Sequence, residues 1–215
     1  MKKIYIAIVL VVALGIGVGG GLVTRKSSSK SAVTTVGTTN TSDHMIMTMS
    51  ADSLKKLSGD AYDKMFITMM SEHHAGAVMM AGSVTNSSKP EIKQLASNII
   101  TAQTKELADM KSWAAKWGYS YVEPSQQAIN NMSAGDADKT GDALDKQFLS
   151  DMIGHHQSAL DMTQYSAKNA QHQEIVDLSA NITKTQTAEI ALMKTISAQY
   201  GFNSESNSSM SNMHM

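Results

Sequence analysis

The chain contains no cysteine. That excludes a disulfide framework, a zinc knuckle, a thiol nucleophile and a bacterial lipoprotein anchor. Any soft-metal chemistry must then rest on Met and His, and a thioether still ligates where thiols would be oxidised. Only two prolines interrupt 215 residues, which favours helix, as does an abundance of Ala, Met, Lys, Gln and Leu. Excess charge of one sign is missing too: 18 Lys and Arg stand against 19 Asp and Glu, which gives no reason to expect nucleic acid as a partner. No nucleophilic triad, phosphate-binding loop or nucleotide fingerprint is present, so no catalytic or organic-cofactor residue is assigned.

One long apolar run is there. Lys2-Lys3 precede the twenty residues Ile4–Val23, and Arg25, Lys26 and Lys30 follow. As a helix, such a run matches a hydrocarbon core about 30 Å thick. Residues 1–23 are expected to form an uncleaved transmembrane anchor, with a cleaved signal as the alternative: no Ala-x-Ala site is present, though Gly19-Gly20-Gly21 offers a place to cut. Positive charge on both flanks decides orientation weakly. The export reading puts the body outside the cytoplasm, held at the membrane or secreted if the segment is cut. Residues 24–50, rich in Ser, Thr and Gly, read as a disordered tether, and residues 203–215 as a similar tail.

Between them the chain repeats itself. Asp63 to Met80 aligns with Asp145 to Met162 at an offset of 82, which superposes His73-His74 on His155-His156. Beyond the turn, Glu91, Ile92, Leu95, Ile99, Gln103, Glu106 and Met110 match Glu174, Ile175, Leu178, Ile182, Gln186, Glu189 and Met193 at an offset of 83. Each copy, about 58–119 and 140–202, predicts two helices: 60–84 and 90–117, then 141–168 and 172–200. Ser88 with Glu91 suggests a capping box and Pro90 a first helical turn, and Gly118 and Gly201 stand where glycine ends a helix. Residues 119–135 connect the copies with room for a short helix. Two antiparallel hairpins would bury their apolar stripes against each other as an all-α four-helix bundle over 51–202.

The stripes are Phe66, Met70, His73, Ala77 and Met80 on the first helix and Ile92, Ala96, Ile99, Gln103, Glu106, Met110 and Trp113 on the second, repeated in the other copy. A turn near residue 87 predicts His73 within reach of Gln103 and Glu106, and a turn near 170 predicts His155 beside Gln186 and Glu189. His74 and His156, about 100° further round the helix, are expected to flank the stripe with Met70 and Met152, placing sites at helix edges. His172, at a helix start, is expected to be solvated.

His with Met suits soft or borderline ions, copper above all, Cu(I) before Cu(II), and silver by similarity. The candidate ligands in the bundle are Met70, His73, His74, Met80, Glu106 and Met110, with Met152, His155, His156, Met162, Glu189 and Met193 in the second copy; the glutamates serve either as ligands or as acceptors for a histidine N–H. Against this stands the simpler reading of His73 and His155 as core histidines bonded to glutamates, with Met merely filling gaps. That reading does not cover the tails, where His44, Met45, Met47 and Met49 precede the bundle and Met210, Met213, His214 and Met215 end the chain.

These residues resemble the domain of unknown function 305 family, a ferritin-like group of exported bacterial proteins. The shared pattern runs Phe-(Leu/Ile)-x-x-Met-x-x-His-His-x-x-Ala-x-x-Met, then Gln-x-x-Glu-Ile-x-x-Met. It stands here as Phe66 to Met80 with Gln103, Glu106 and Met110, and as Phe148 to Met162 with Gln186, Glu189, Ile190 and Met193, departing from it at Leu107 where Ile is usual. The resemblance covers about 58–202. It implies a four-helix bundle and, since some members look like periplasmic copper-handling proteins, copper binding. The leading expectation is thus a copper-sequestering, copper-tolerance or copper-trafficking protein rather than an enzyme. Its partners would be the metal ion, the membrane, a metal-transfer protein and a second copy of the chain. The rivals are a ferritin-like di-metal oxidase using His and Glu, disfavoured because neither copy has Glu-x-x-His, and a structural or signalling module without metal.

Overall fold

The helices form where the periodicity places them. In a computed structural model, which describes residues 51–132 and 138–202, the elements are α1 (Ala51–Lys55), α2 (Asp60–Ser83), α3 (Pro90–Trp117), α4 (Gln126–Met132), α5 (Gly141–Thr163), α6 (Ser166–Asn169) and α7 (Gln173–Gln199). Among the described residues there is no strand, only an isolated bridge between Gly59 and Ala170. None of the described helices is long and apolar enough to cross a membrane. The expected span at Ile4–Val23, the tether and both Met/His tails lie outside the described residues.

Two local expectations need correction. α3 begins with Pro90 at its first turn, but its N-cap is Lys89, with no side-chain cap. Glu91 does not close a capping box with Ser88; its carboxylate accepts Tyr200 Oη at 2.7 Å instead. The second copy's first helix stops at Thr163, not 168. Hydroxyl groups compete with the backbone there: Thr163 Oγ1 bonds the Leu160 carbonyl at 2.9 Å, and Ser166 Oγ is drawn to Tyr62 Oη at 2.7 Å and Ser179 Oγ at 2.6 Å. The glycine stops hold. Gly118 and Gly201 both take φ of 72°, and the next residue's N–H reaches back to Ala114 and to Ser197, each at 2.8 Å.

α2 pairs antiparallel with α3, and α5 with α7; the hairpins meet chiefly through α2 and α5, and α4 packs on α2. α2 and α5 also run antiparallel, since Tyr62 near the start of α2 meets Met162 and Ser166 beyond the other end of α5, while His73 meets His155 in the middle. The copies are therefore related by an approximate two-fold axis passing between His73 and His155. Two apolar clusters lie on either side of it. One gathers Tyr62, Phe66, Met70, Met110, Met162 and Ile175; the other gathers Met80, Ile92, Ile99, Phe148, Met152 and Met193. The bundle is thus all-helical, with its core cut in two by a polar layer.

Each end is tied by a buried carboxylate. Asp63 accepts the backbone N–H groups of Gln171 and His172 at 3.0 Å each and His172 Nδ1 at 2.7 Å. Asp145 accepts Ser87 Oγ at 2.9 Å and Lys89 Nζ at 3.0 Å, and Lys89 also meets Asp142. His172 is accordingly no solvated helix start. It is hydrogen-bonded to Asp63 and lies flat on Trp117, with ring centroids 3.8 Å apart.

Candidate metal centre

The polar layer follows from helix geometry. His73 and His74 sit midway along α2, and both are buried because the stripe is wider than a single row: the fully buried Phe66, Met70, His74 and Ala77 lie on it together. His156 is also fully buried, whereas His155 is half-buried. The expectation that His74 and His156 flank the bundle at helix edges is therefore corrected.

So is the pairing. Glu106 meets His74, not His73, with Oε2 at 2.6 Å from Nε2; Glu189 meets His156, not His155, at 2.7 Å. Side chains lean toward the N-terminus of their own helix. Across an antiparallel pair, the residues that meet therefore lie further along both helices than a symmetric turn suggests. A carboxylate only accepts, so each of these Nε2 atoms carries a proton, while each Nδ1 is buried without a hydrogen-bond partner. The glutamates thereby fix ring orientation, as carboxylates do behind metal-bound histidines.

The other two imidazoles meet on the two-fold axis, with centroids 3.5 Å apart. His73 Nε2 donates to the His155 carbonyl at 3.0 Å and to Ser158 Oγ at 2.6 Å. Burial, then the neighbouring His155, His74 and His156, holds the His73 pKa well below its ordinary value. His155 is pushed down to about 3 by burial first and then by His156 and His74. The His73 carbonyl faces His155 and opposes this shift, yet no hydrogen bond of ordinary geometry reaches the His155 ring. Both rings are neutral at neutral pH and carry lone pairs.

What the layer leaves unsatisfied bears on metal binding. Among the described residues, the buried side-chain nitrogen and oxygen atoms without a hydrogen-bond partner are Nδ1 of His73, His74, His155 and His156, Nε2 of His155, and Oε1 of Gln103 and Gln186. Each such atom costs about 1–3 kcal/mol, and all seven belong to the duplicated polar positions. Thioethers are close in sequence space. Met70 and Met152 precede His74 and His156 by one turn, and Met110 and Met193 follow Glu106 and Glu189 by one turn; all four are fully buried. Met110 Sδ accepts Ser71 Oγ at 3.8 Å. Met80 and Met162, two turns or about 10 Å along the helix from His73 and His155, are buried in the apolar clusters. No group of three or more His, Asp or Glu side chains converges on a point among the described residues. Buried imidazole nitrogens with methionines one helical turn away, and no cluster of carboxylates among the described residues, fit a soft or borderline ion of low coordination number rather than a hard one. His44, Met45, Met47, Met49, Met210, Met213, His214 and Met215 lie outside the described residues.

Sequence reasoning missed Ser158, which locks His73, and Ser125, which donates to Glu72 at 3.2 Å. The signal for Ser158 was a mismatch between copies: Gly76 stands at its equivalent position.

A duplicated helical hairpin that buries one His-His pair per copy, each backed by a glutamate from the following helix, defines a class of helical bundle. The chain belongs to the family Domain of unknown function (DUF305), whose sequence pattern matches residues 21–114 and 63–197. Among solved structures it is similar to CopM in the Cu(I)-bound form, at 32% identity over 64% of this chain and 96% of that one, with a TM-score of 0.55. CopM is also known in Cu(II)-bound, Ag-bound and apo forms. A DUF305 fragment from Deinococcus radiodurans is 27% identical over 64% of this chain and 95% of that one, with a TM-score of 0.56. A DUF305 protein from Streptomyces coelicolor, at 21% identity, 65% and 92% coverage and a TM-score of 0.57, shares the fold. No curated protein matches the chain.

Proposed function

We propose that this chain is an extracytoplasmic copper-binding protein that sequesters copper or passes it on, with Cu(I) preferred, Cu(II) accepted and silver able to substitute. The observation that carries the reading is the set of buried imidazole nitrogens left without partners, in a thiol-free core that sets Met one turn away. The donors in this reading are His73, His74, His155 and His156 with Met70, Met110, Met152 and Met193. Met80 and Met162 are more remote members, and Glu106 and Glu189 act from behind the histidines. CopM, a relative solved with Cu(I), Cu(II) and silver, supports the same ions here. The paired hairpins support a ferritin-like four-helix bundle spanning 51–202. Residues 1–23 act as anchor or signal, residues 24–50 as tether, and the Met/His segments at 44–49 and 210–215 capture Cu(I) for the bundle. A di-metal oxidase has less support, because Glu106 and Glu189 are each engaged by a histidine and no group of three or more His, Asp or Glu side chains converges among the described residues.

The test is a titration of the full chain with Cu(I) against a competing chelator. Binding tighter than about 1 μM is expected, with a lower stoichiometry once both His-His pairs are replaced by Gln-Gln. Weaker binding, or an unchanged stoichiometry in that variant, would sink the proposal.

A further inference from the structure

The two-fold axis makes the histidine pairs equivalent in position, but their surroundings differ. In the first copy Glu72, His73 and Gly76 are all buried. α4 packs against α2, and Ser125, just ahead of α4, donates to Glu72 at 3.2 Å. The equivalent residues of the second copy are Gly154, His155 and Ser158. Gly154 and Ser158 are exposed and His155 is half-buried. A Cβ built on Gly154 meets no atom of the described residues within 4 Å, so among them the space beside it is open. One histidine pair is roofed; the other faces a surface without a side chain at the residue just before it.

Hydrogen bonding differs in the same sense. His73 is held by Ser158 Oγ and the His155 carbonyl, and Ser158 is itself fixed by donating to that carbonyl at 2.8 Å. The symmetric hydroxyl bond to His155 cannot form, because the position related to Ser158 is Gly76, and the facing His73 carbonyl makes no bond of ordinary geometry to the ring. His155 is thus left with both ring nitrogens buried and unpartnered, while the His73 ring supports it from behind at 3.5 Å. His155 therefore offers two unengaged ring nitrogens where each of the other three bundle imidazoles offers one, and it is the most exposed of the four.

We propose that metal enters and leaves the bundle through the second copy's face beside Gly154, with His155 as the first imidazole it meets and His73 as a locked support. This rests on the copper reading and assigns a direction within it.

The experiment follows individual histidines in the full chain. The protein is labelled with 15N-histidine and given substoichiometric Ag(I), which is diamagnetic. The expected result is that, among the four bundle imidazoles, His155 and His156 respond first and His73 last. The route is tested separately by rapid mixing with Ag(I) at low salt. Gly154→Lys places a cation at the entrance and should slow bundle loading about threefold or more, whereas Gly154→Ala loads at the wild-type rate. Both substitutions are on an exposed helix position, so loss of folding does not confound them. His155→Gln should slow bundle loading more than His73→Gln does, and each should lower bundle affinity at least about tenfold, with thermal melts checking that both variants fold. Simultaneous response of all four imidazoles, or wild-type loading by Gly154→Lys, overturns the assignment and leaves the copper reading standing. Silence from all four overturns both.

Discussion

The two ends of the bundle solve one problem with different chemistry. Asp63 and Asp145 are equivalent positions, and each carboxylate on one hairpin's first helix ties down the turn of the other hairpin. The groups they hold, His172 and Lys89, are themselves equivalent at the offset of 83. So are the aromatic rings behind them: Trp117 stacks on His172, and Tyr200 lies 5.2 Å from the Lys89 ammonium. The contact is reciprocal, as a two-fold arrangement requires. What duplication preserved is the buried acceptor and the aromatic wall; the donor diverged from a permanent cation to an imidazole that also stacks. The same holds at the centre, where the His-His pair is kept and the hydroxyl that locks one ring exists on one side alone.

Breaking the end ties should produce the largest effects. Asp145→Ala leaves the Lys89 ammonium buried with Asp142 as its remaining carboxylate, and Asp63→Ala strands two backbone N–H groups and His172. Each is expected to cost about 3–5 kcal/mol, as breaking a buried pair does, read as a shift in urea midpoint at constant slope. A loss under about 1 kcal/mol in Asp145→Ala would show that the exposed Asp142 suffices, and that the two ends are not equivalent in energy. Metal comes next. Ag(I) at a hundredfold excess over its dissociation constant should stabilise the bundle by about 2.7 kcal/mol. An unchanged melting temperature would favour a bundle whose histidines are merely packed.

Acid should separate the central pair from the ends. His155 is held at about 3 against an ordinary 6.5, chiefly by burial, and His73 is shifted in the same direction. The unfolded chain therefore binds protons that the native state refuses. For these groups stability is complete above about pH 6.5 and falls as the pH drops toward the native values, by about 1.4 kcal/mol per pH unit for each histidine. Urea unfolding between pH 6 and 5, above the range where carboxylates titrate, should show that slope, and His155→Gln should remove about half of it. A flat profile would mean that the layer takes up protons without unfolding.

Much of this was legible because the chain repeats. Helices expected at 60–84 and 90–117 stand at Asp60–Ser83 and Pro90–Trp117, since long periodic stripes and glycine stops fix helices well. The partner of Glu106 was not legible: Cβ direction displaces the meeting point along the pair, so His74 took the place assigned to His73. Nor was the end of α5. In the first copy Ala81 and Val84 stand where the second has Thr163 and Ser166, and those hydroxyls divert the chain. His172 was misread because its carboxylate partner is Asp63, across the bundle in the other copy, where helix periodicity carries no information.

The smallest expected effect tests the open face directly. Gly154 lies in the middle of α5, at the position where the first copy has Glu72 bonded to Ser125. Glycine within a helix is about 0.5–1 kcal/mol less favourable than alanine, because the unfolded chain has more freedom to lose. An added methyl meets no atom of the described residues within 4 Å, so none of them offsets that gain. Gly154→Ala should therefore stabilise the metal-free chain by about 0.5–1 kcal/mol. With Ag(I) bound the gain should persist, because a methyl is too small to close the entrance beside His155. A gain in the metal-free state that vanishes on loading would instead place the bound ion, or a ligand that moves to hold it, against position 154. That outcome would sharpen the comparison further, making the second copy's glycine part of the loaded site rather than the gap through which it is reached.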